Sequence, residues 1–437
     1  MQVKFSICYS RLLFSAFWIF SSGNLCSQVD IKWLKNDLEF LSSDTLNGRV
    51  TGLEGGTMAA RFISEEFQKI GLSAPTNCPD FLHAFELILP RTVSSNLIMN
   101  ETRFSTEDFF IVSQEENIHV QGLPDVDVFV ISSEDDFMTR FSALSGLNSN
   151  YIVLVDRVHQ SRFNRLRNYM TPKKHSLRTP FVGYSLWVLT HEKTLAEDFE
   201  LHVQQEIDVL KGYNVVGVLS GTKTDSLAWV IGAHYDHVAP KNGEEGKDRI
   251  YNGANDNASG VSVMLSLARL FKKTQTNEKP IWFVAFAAEE MGLLGSAKFV
   301  SDFSNESIQS MINLEMVGKP NEDLGEQSAY ITGYELSIWP KDLHRFSQDF
   351  SFDFYPDPYP ELQLFNRSDN LPFAATGIPA HTISTYTKAD TLYHHASDEF
   401  DSIDFTHLKS LTENLFLGIQ PLLILDYNPG KIDFTQK

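Results

Sequence analysis

Residues 227–237 read LAWVIGAHYDH, and this stretch decides the fold. From Leu227 to Ala233 there is no charged residue and no polar alternation, the pattern of a strand covered on both faces. The run then breaks into His234, Tyr235, Asp236 and His237. Comparable runs stand on either side: NVVGVLSG (214–221), IWFVAFA (281–287), SMINLEM (310–316) and PAHTIS (379–384). Between and after them lie helical patterns, ASGVSVMLSLARLFKK (258–273), LLGSAKFVSDF (293–303) and LKSLTENLFLGIQPLLI (408–424). Strands alternating with helices predict an α/β fold, a mostly parallel mixed sheet with helices on both faces.

Working outward, Ile31, Leu34, Leu38 and Leu41 fall on one helical face. A second helix is predicted over TMAARFISEEFQKI (57–70), with Gly71 as its stop. The glycine-rich turn NGRVTGLEGG lies between the two. Residues 91–210 read differently, with short runs such as VDVFVI (126–131) and YIVLV (151–155) among polar stretches. They are expected to form a smaller domain inserted into a main domain of 28–90 and 211–437. The basic stretch 162–178 within it reads as a solvated face.

The formal net charge of −20 argues against a nucleic-acid or anionic-lipid partner, either of which requires a basic face. With 42% hydrophobic and 21% charged residues, the balance is that of a globular protein rather than a disordered one. Residues 1–27 read as a secretory signal: Lys4 and Arg11, the apolar run Leu12 to Phe20, then small and polar residues to Ser27. The apolar run is too short to span a membrane. Cleavage there predicts a secreted or periplasmic protein, more negative by the loss of Lys4 and Arg11. Leu25 before Cys26 argues against a lipid anchor at that cysteine. Of Cys8, Cys26 and Cys78 only the last remains, which excludes an internal disulfide and a cysteine-based zinc site.

In parallel sheets functional groups gather where strands end, and here nearly every predicted strand ends on a metal-type residue. His234 follows LAWVIGA, and Asp236 is placed to orient its ring. Asp256 lies in NGANDNASG (252–260), where it suits either a helix N-cap or a carboxylate shared by two metals. Glu289 and Glu290 follow IWFVAFA; one can bind metal while the other takes a proton from an activated water. Glu315 stands inside an otherwise apolar strand, where an unpaired carboxylate is costly. His394 and His395 precede an acidic loop, and one of them is expected to be a ligand. Imidazole and carboxylate donors suit zinc or a similar first-row ion. Five such side chains exceed what one tetrahedral zinc with an open position takes, whereas two ions sharing a carboxylate use all five.

Taken together, GAHYDH, NGANDNASG, FAAEEMGLLGS, INLEMVG, RSDNLPFAATGIPA and YHHASDEFDSID, with the N-terminal NGRVTG and AARFISEEFQKIGL, resemble the M28 aminopeptidases. The resemblance covers about 30–72 and 213–410. It implies a zinc-exopeptidase fold and two Zn2+ per chain. The implied metal ligands are His234, Asp256, Glu290, Glu315 and His394, with Asp256 bridging. Asp236 is implied as the support of His234, Glu289 as the general base, and the Asp256–Asn257 peptide as cis. His394 is preferred over His395 because the family pattern Tyr-His-x-x-x-Asp fits Tyr393, His394 and Asp398. Three positions depart from that pattern: Glu315 replaces the usual Asp, Asn370 a frequent His, and His395-Ala396 a frequent Thr-Pro. Some relatives carry a protease-associated insertion, which 91–210 faintly resembles.

The leading expectation is therefore a secreted di-zinc aminopeptidase acting on peptides. Alternatives are a carboxypeptidase or dipeptidase, for which Arg367 is the candidate to grip a substrate carboxylate, a single-zinc glutaminyl cyclase, and a non-catalytic binding protein. Side-chain preference and oligomeric state are not written in these motifs.

Overall fold

Every residue of the strand Ala228–His234 is buried, and the sheet is built around it. The computed structural model describes residues 28–179, 183–195, 198–223, 227–239, 248–303, 307–350, 352–424 and 426–434. The predicted signal, 1–27, lies outside them. The chain divides into two compact units, one running to Ala84 and resuming at Gly212, the other Phe85–Lys211. The boundaries fall inside two long strands, Leu82–Met99 and Glu200–Leu219.

The first unit opens with helices α1 (Ile31–Leu41) and α2 (Glu54–Ile70). Asp30 caps α1 by accepting from the Lys32 N–H, and Leu34, Leu38 and Leu41 are its buried face. Gly71 ends α2 in the left-handed conformation, φ 82°, where a side chain is disfavoured. Then follow the part of β1 (Glu200–Leu219) from Gly212 onward, β2 (Ala228–His234), α3 (Ser259–Thr274), β3 (Ile281–Phe286), α4 (Leu294–Asp302) and β4 (Ile308–Glu315). The unit finishes with β5 (Ser328–Ile331), α5 (Trp339–Ser347), β6 (Asp353–Pro356), α6 (Asn370–Ala375), β7 (Ala380–Ser384) and α7 (Phe405–Ile419).

The strand order is β6-β5-β7-β4-β2-β3-β1. The central four, β7, β4, β2 and β3, are mutually parallel. Antiparallel pairings to β5 and β1 flank them. This is the mostly parallel mixed α/β sheet expected from the sequence. On one face Val230, Val284, Phe286, Met311 and Ala380 form a buried cluster with Phe299 of α4 and Phe373 of α6. Gly232 is required in β2, because a Cβ there would lie 2.5 Å from the Phe286 ring. Helix α3 packs against β2, β3 and β4, with α1 and α7 against it; its first ten residues are all buried. With both faces covered, the central strands carry the unbroken apolar runs seen in the sequence.

In the second unit a four-stranded sheet runs in the order Phe109–Ser113, Tyr184–Thr190, Tyr151–Asp156, Asp127–Ile131. Phe110, Phe137, Phe163 and Trp187 belong to its buried core. The helix Gln160–Met170 buries Phe163 and Leu166 and leaves Arg162 and Arg165 exposed to solvent, while Arg167 is half-buried and donates to the Glu107 carbonyl.

Candidate metal centre

Parallel register sets the position of the site. His234 lies beside Phe286, Gly232 beside Asn313, and Glu315 beside Ser384. The C-terminal ends of β2, β3, β4 and β7 therefore open at one edge of the sheet, where ligand sites of parallel sheets form. At this edge the chain turns sharply. Ala288 before the Glu289–Glu290 pair, Met316 after Glu315, and His394 itself adopt positive φ (55°, 49° and 52°). Such backbone costs of order 1–3 kcal/mol at a non-glycine residue and persists where neighbours impose it. Here the Ala288 N–H donates to Thr51 Oγ1 (2.8 Å), and the Met316 N–H to Asn257 Oδ1 (3.1 Å).

The Asp256 carboxylate lies at the middle of the cluster, and its two oxygens face opposite ways. Oδ1 is 3.3 Å from His234 Nε2, and Oδ2 is 3.3 Å from His394 Nε2. On the first side His234 Nε2 is also 2.9 Å from Glu315 Oε1. On the second, His394 Nε2 is 3.0 Å from Glu290 Oε1. The structure thus brings His234, Asp256, Glu290, Glu315 and His394 together. Their donor atoms fall into two groups, each within 4.8 Å, one of His234, Glu289 and Glu315 and the other of His237, Asp256, Glu290 and His394. Imidazole and carboxylate donors without thiolate fit zinc or a neighbouring first-row ion.

The turn bearing Asp256 is fixed from several directions. Asp398 accepts from the Asn255 and Asp256 N–H groups at 3.0 Å, which ties the His394 loop to this turn. Asn257 donates to the Leu314 carbonyl (2.8 Å) and accepts from the Gly260 N–H (3.1 Å), linking the turn to the end of β4. The Asp256–Asn257 peptide is cis. Glu315 has its second oxygen on Ser368 Oγ, 2.7 Å away. Asp236 accepts from the Glu289 N–H at 3.1 Å. His234 Nδ1 is closer to the main-chain carbonyl of Asp236 (3.1 Å) than to its carboxylate (3.7 Å). His395 is exposed and accepts from the Ser397 N–H. Asn370 is buried and binds the Phe365 carbonyl and Thr382 Oγ1, so it belongs to the scaffold beneath the cavity.

Electrostatics follow from burial and crowding. Burial lifts Glu289 well above the usual carboxylate range, with Glu315, Asp369 and Glu290 adding to the effect and His234 opposing it. Against burial, hydrogen bonds from His234 and His394 and the nearby His237 hold Asp256 well below that range. Burial also opposes a charge on His394, but Asp256 and Glu290 raise it to about 9. Arg49 stands behind the cluster, 1% exposed. Burial lowers it to about 10 against the attraction of Asp256, Asp398, Asp236 and Glu290, so it remains a cation.

His237 and Arg49 were not among the site residues expected from sequence. For His237 the signal was the second histidine of the HYDH motif. For Arg49 it was the glycine-rich NGRVTG turn, whose position in space no sequence pattern supplies. A cavity of about 150 Å³ opens over the cluster. Asp256, Glu289, Glu290 and Glu315 line it together with Met316, Tyr330, Leu362, Leu364, Tyr393 and Arg367.

Residues 214–418 match the model of peptidase family M28. Aminopeptidase YwaD of Bacillus subtilis is 29% identical over 259 residues, covering 55% of this chain and 53% of that protein. A probable zinc metalloprotease of Phaeosphaeria nodorum is 36% identical over 129 residues, 27% of this chain and 26% of that one. The chain thus spans about half the length, or less, of these relatives. Among solved structures, a zinc aminopeptidase from Bacillus subtilis superposes with a TM-score of 0.53 at 18% identity, covering 93% of this chain and 98% of that chain; this similarity concerns the fold.

Proposed function

We propose, for a chain whose residues 214–418 make it a member of peptidase family M28, that it is a di-zinc aminopeptidase releasing N-terminal residues from peptides. The observation that carries this reading is the divided Asp256 carboxylate, one oxygen toward His234 and the other toward His394. His234, Asp256 and Glu315 would hold one Zn2+, and Asp256, Glu290 and His394 the other. Bound there, the pair would supply Lewis-acid chemistry that makes water nucleophilic at neutral pH and polarises the scissile carbonyl.

The chain's own residues do the rest. Glu289 projects into the cavity from a main chain pinned by Asp236. It accepts the proton of the attacking water and returns it to the leaving amine. Met316, Leu362 and Leu364 keep bulk water from the reacting carbonyl.

Arg367 at the cavity wall supports a second reading, a carboxypeptidase or dipeptidase in which it grips a substrate carboxylate. A panel of free, N-acetylated and C-amidated peptides separates the two. An aminopeptidase cleaves the free and C-amidated peptides, spares the N-acetylated one, and loses activity to a strong chelator. Cleavage of the free and N-acetylated peptides with the C-amidated one spared would reverse the assignment to a carboxypeptidase, and cleavage confined to free dipeptides would reverse it to a dipeptidase. Export rests on the reading of residues 1–27, and N-terminal sequencing of the mature protein should begin near residue 28. Among the described residues no helix is long and apolar enough to cross a membrane.

A further inference from the structure

The two halves of the cluster are not alike. Around Glu290 four donor atoms converge from four side chains, His237, Asp256, Glu290 and His394. His237 Nδ1 lies 3.0 Å from Glu290 Oε1 and 3.8 Å from Asp256 Oδ2. His394 Nε2 faces the same two oxygens at 3.0 and 3.3 Å. The two imidazoles meet edge to face, 5.5 Å between centroids at 74°, with both donor nitrogens turned to one point. On the other half, His234, Asp256 and Glu315 converge without a second imidazole, and Glu289 stands beside them.

The fold holds His237 in that orientation. The side chain is fully buried, with 0% exposure. Gly253, at φ 53°, passes so close that a Cβ there would lie 2.7 Å from His237 Cγ and Cδ2. The same glycine belongs to the turn that carries Asp256, and its carbonyl is held by Arg49 at 3.0 Å. The turn is therefore shaped to admit the ring and prevent its rotation. Nε2 has no hydrogen-bond partner among the described residues, so Nδ1 is the atom of this ring that has partners.

Resting on the metal-centre reading above, we propose that His237 is a sixth protein ligand. It closes the Glu290-side position as a site of two imidazoles and two carboxylates, leaving the open position on the His234 side. Structural zinc sites are filled by four protein donors, whereas catalytic ones keep a place for water. The pair thereby divides labour: a retained ion between His237, Asp256, Glu290 and His394, and an exchangeable ion at His234, Asp256 and Glu315 next to Glu289.

The test uses the metal alone. Full-length apoprotein loaded with one equivalent of Zn2+ is examined by X-ray absorption. Two imidazoles on the first zinc are expected, from His237 and His394, and a single imidazole would overturn the proposal. Dialysis against a graded chelator should remove one equivalent well before the other. In His237→Phe, which keeps a ring in the space, the retained equivalent should weaken by at least ~100-fold, beyond the 10–100-fold typical of groups that only orient a ligand. An unchanged retention profile in a folded His237→Phe chain would refute the assignment. A chain that binds no zinc at all would overturn the metal-centre reading as well, which distinguishes the two failures.

Discussion

The Nε of Arg49 donates to the main-chain carbonyl of Tyr235 across 2.7 Å, joining the N-terminal glycine-rich turn to the loop that leaves β2 with its histidines. The same guanidinium reaches the carbonyls of Leu41, Asn252 and Gly253. One buried cation therefore holds both the His234–His237 segment and the turn bearing Asp256, and offsets part of the negative charge gathered there. Replacement by Met retains much of the length but leaves these carbonyls without a donor and the carboxylates without a counter-charge. Arg49→Met is expected to cost on the order of 3–5 kcal/mol of stability and to lower bound metal. Urea denaturation of the apo and metal-loaded chains measures both. Arg49→Lys, which lacks the planar fork, should recover only part of the loss.

Glu289 is expected to matter to turnover and little to metal binding. Its main chain is fixed by Asp236, so Glu289→Gln changes the proton-accepting atom and little else. Turnover should fall by ~10²–10⁴-fold, the usual contribution of a positioned general base, with zinc content per chain unchanged. A variant with full turnover would remove Glu289 from its proposed role.

How far the sequence reached is clearest in the strands. LAWVIGA and IWFVAFA were legible because strands covered on both faces must be apolar throughout. Ser328–Ile331 and Asp353–Pro356 were not, since four residues carry too little pattern. Glu200–Leu219 was recognised only from Asn214, because its first half alternates buried and exposed residues and includes charges. Of the residues that cluster at the candidate site, those expected from the sequence are the ones whose chemistry is written in the side chain. Asn257, Asp398 and Arg49 act chiefly through main-chain groups, the last two 142 and 186 residues away. Only the folded topology creates those partners, so their roles in holding the turn were not readable in advance.

Glu315 spans two partners. Oε1 is 2.9 Å from His234 Nε2, and Oε2 accepts from Ser368 Oγ at 2.7 Å. Ser368 in turn accepts from Asn313 Nδ2 at 2.7 Å, so the carboxylate is oriented by a chain anchored in β4. Shortening the side chain by one methylene withdraws it from one partner or the other. Glu315→Asp is therefore expected to weaken metal binding on the His234 side by ~10–100-fold, the scale typical of losing an orienting contact. Competition between the protein and a chromophoric chelator reads this directly. Equal or tighter binding would mean that β4 shifts to follow the shorter side chain.

The last expectation concerns acid stability and lies outside the metal cluster. His381 on β7 is fully buried, with Nδ1 2.9 Å from the Thr332 carbonyl and Nε2 2.6 Å from Ser337 Oγ. The carbonyl only accepts, so Nδ1 carries the proton and the Ser337 hydroxyl donates to Nε2. Burial pushes the imidazole from its ordinary 6.5 down to about 4, with the Thr332 carbonyl pulling the other way. Below pH 6.5 the unfolded chain takes up a proton that the folded chain refuses. The stability conferred by neutral His381 is therefore complete above pH 6.5 and is lost as the pH falls toward 4. The loss amounts to roughly 3 kcal/mol across that window. His381→Gln keeps hydrogen-bonding capacity and removes the titration. Urea midpoints from pH 7 to pH 4 should fall less steeply in the variant than in the parent chain; parallel slopes would show that His381 does not carry this acid sensitivity. Because Thr382 and Ser384 on the same strand line the cavity, the parent chain should also lose the proposed peptidase activity irreversibly sooner than the variant when held near pH 4 and assayed at neutral pH.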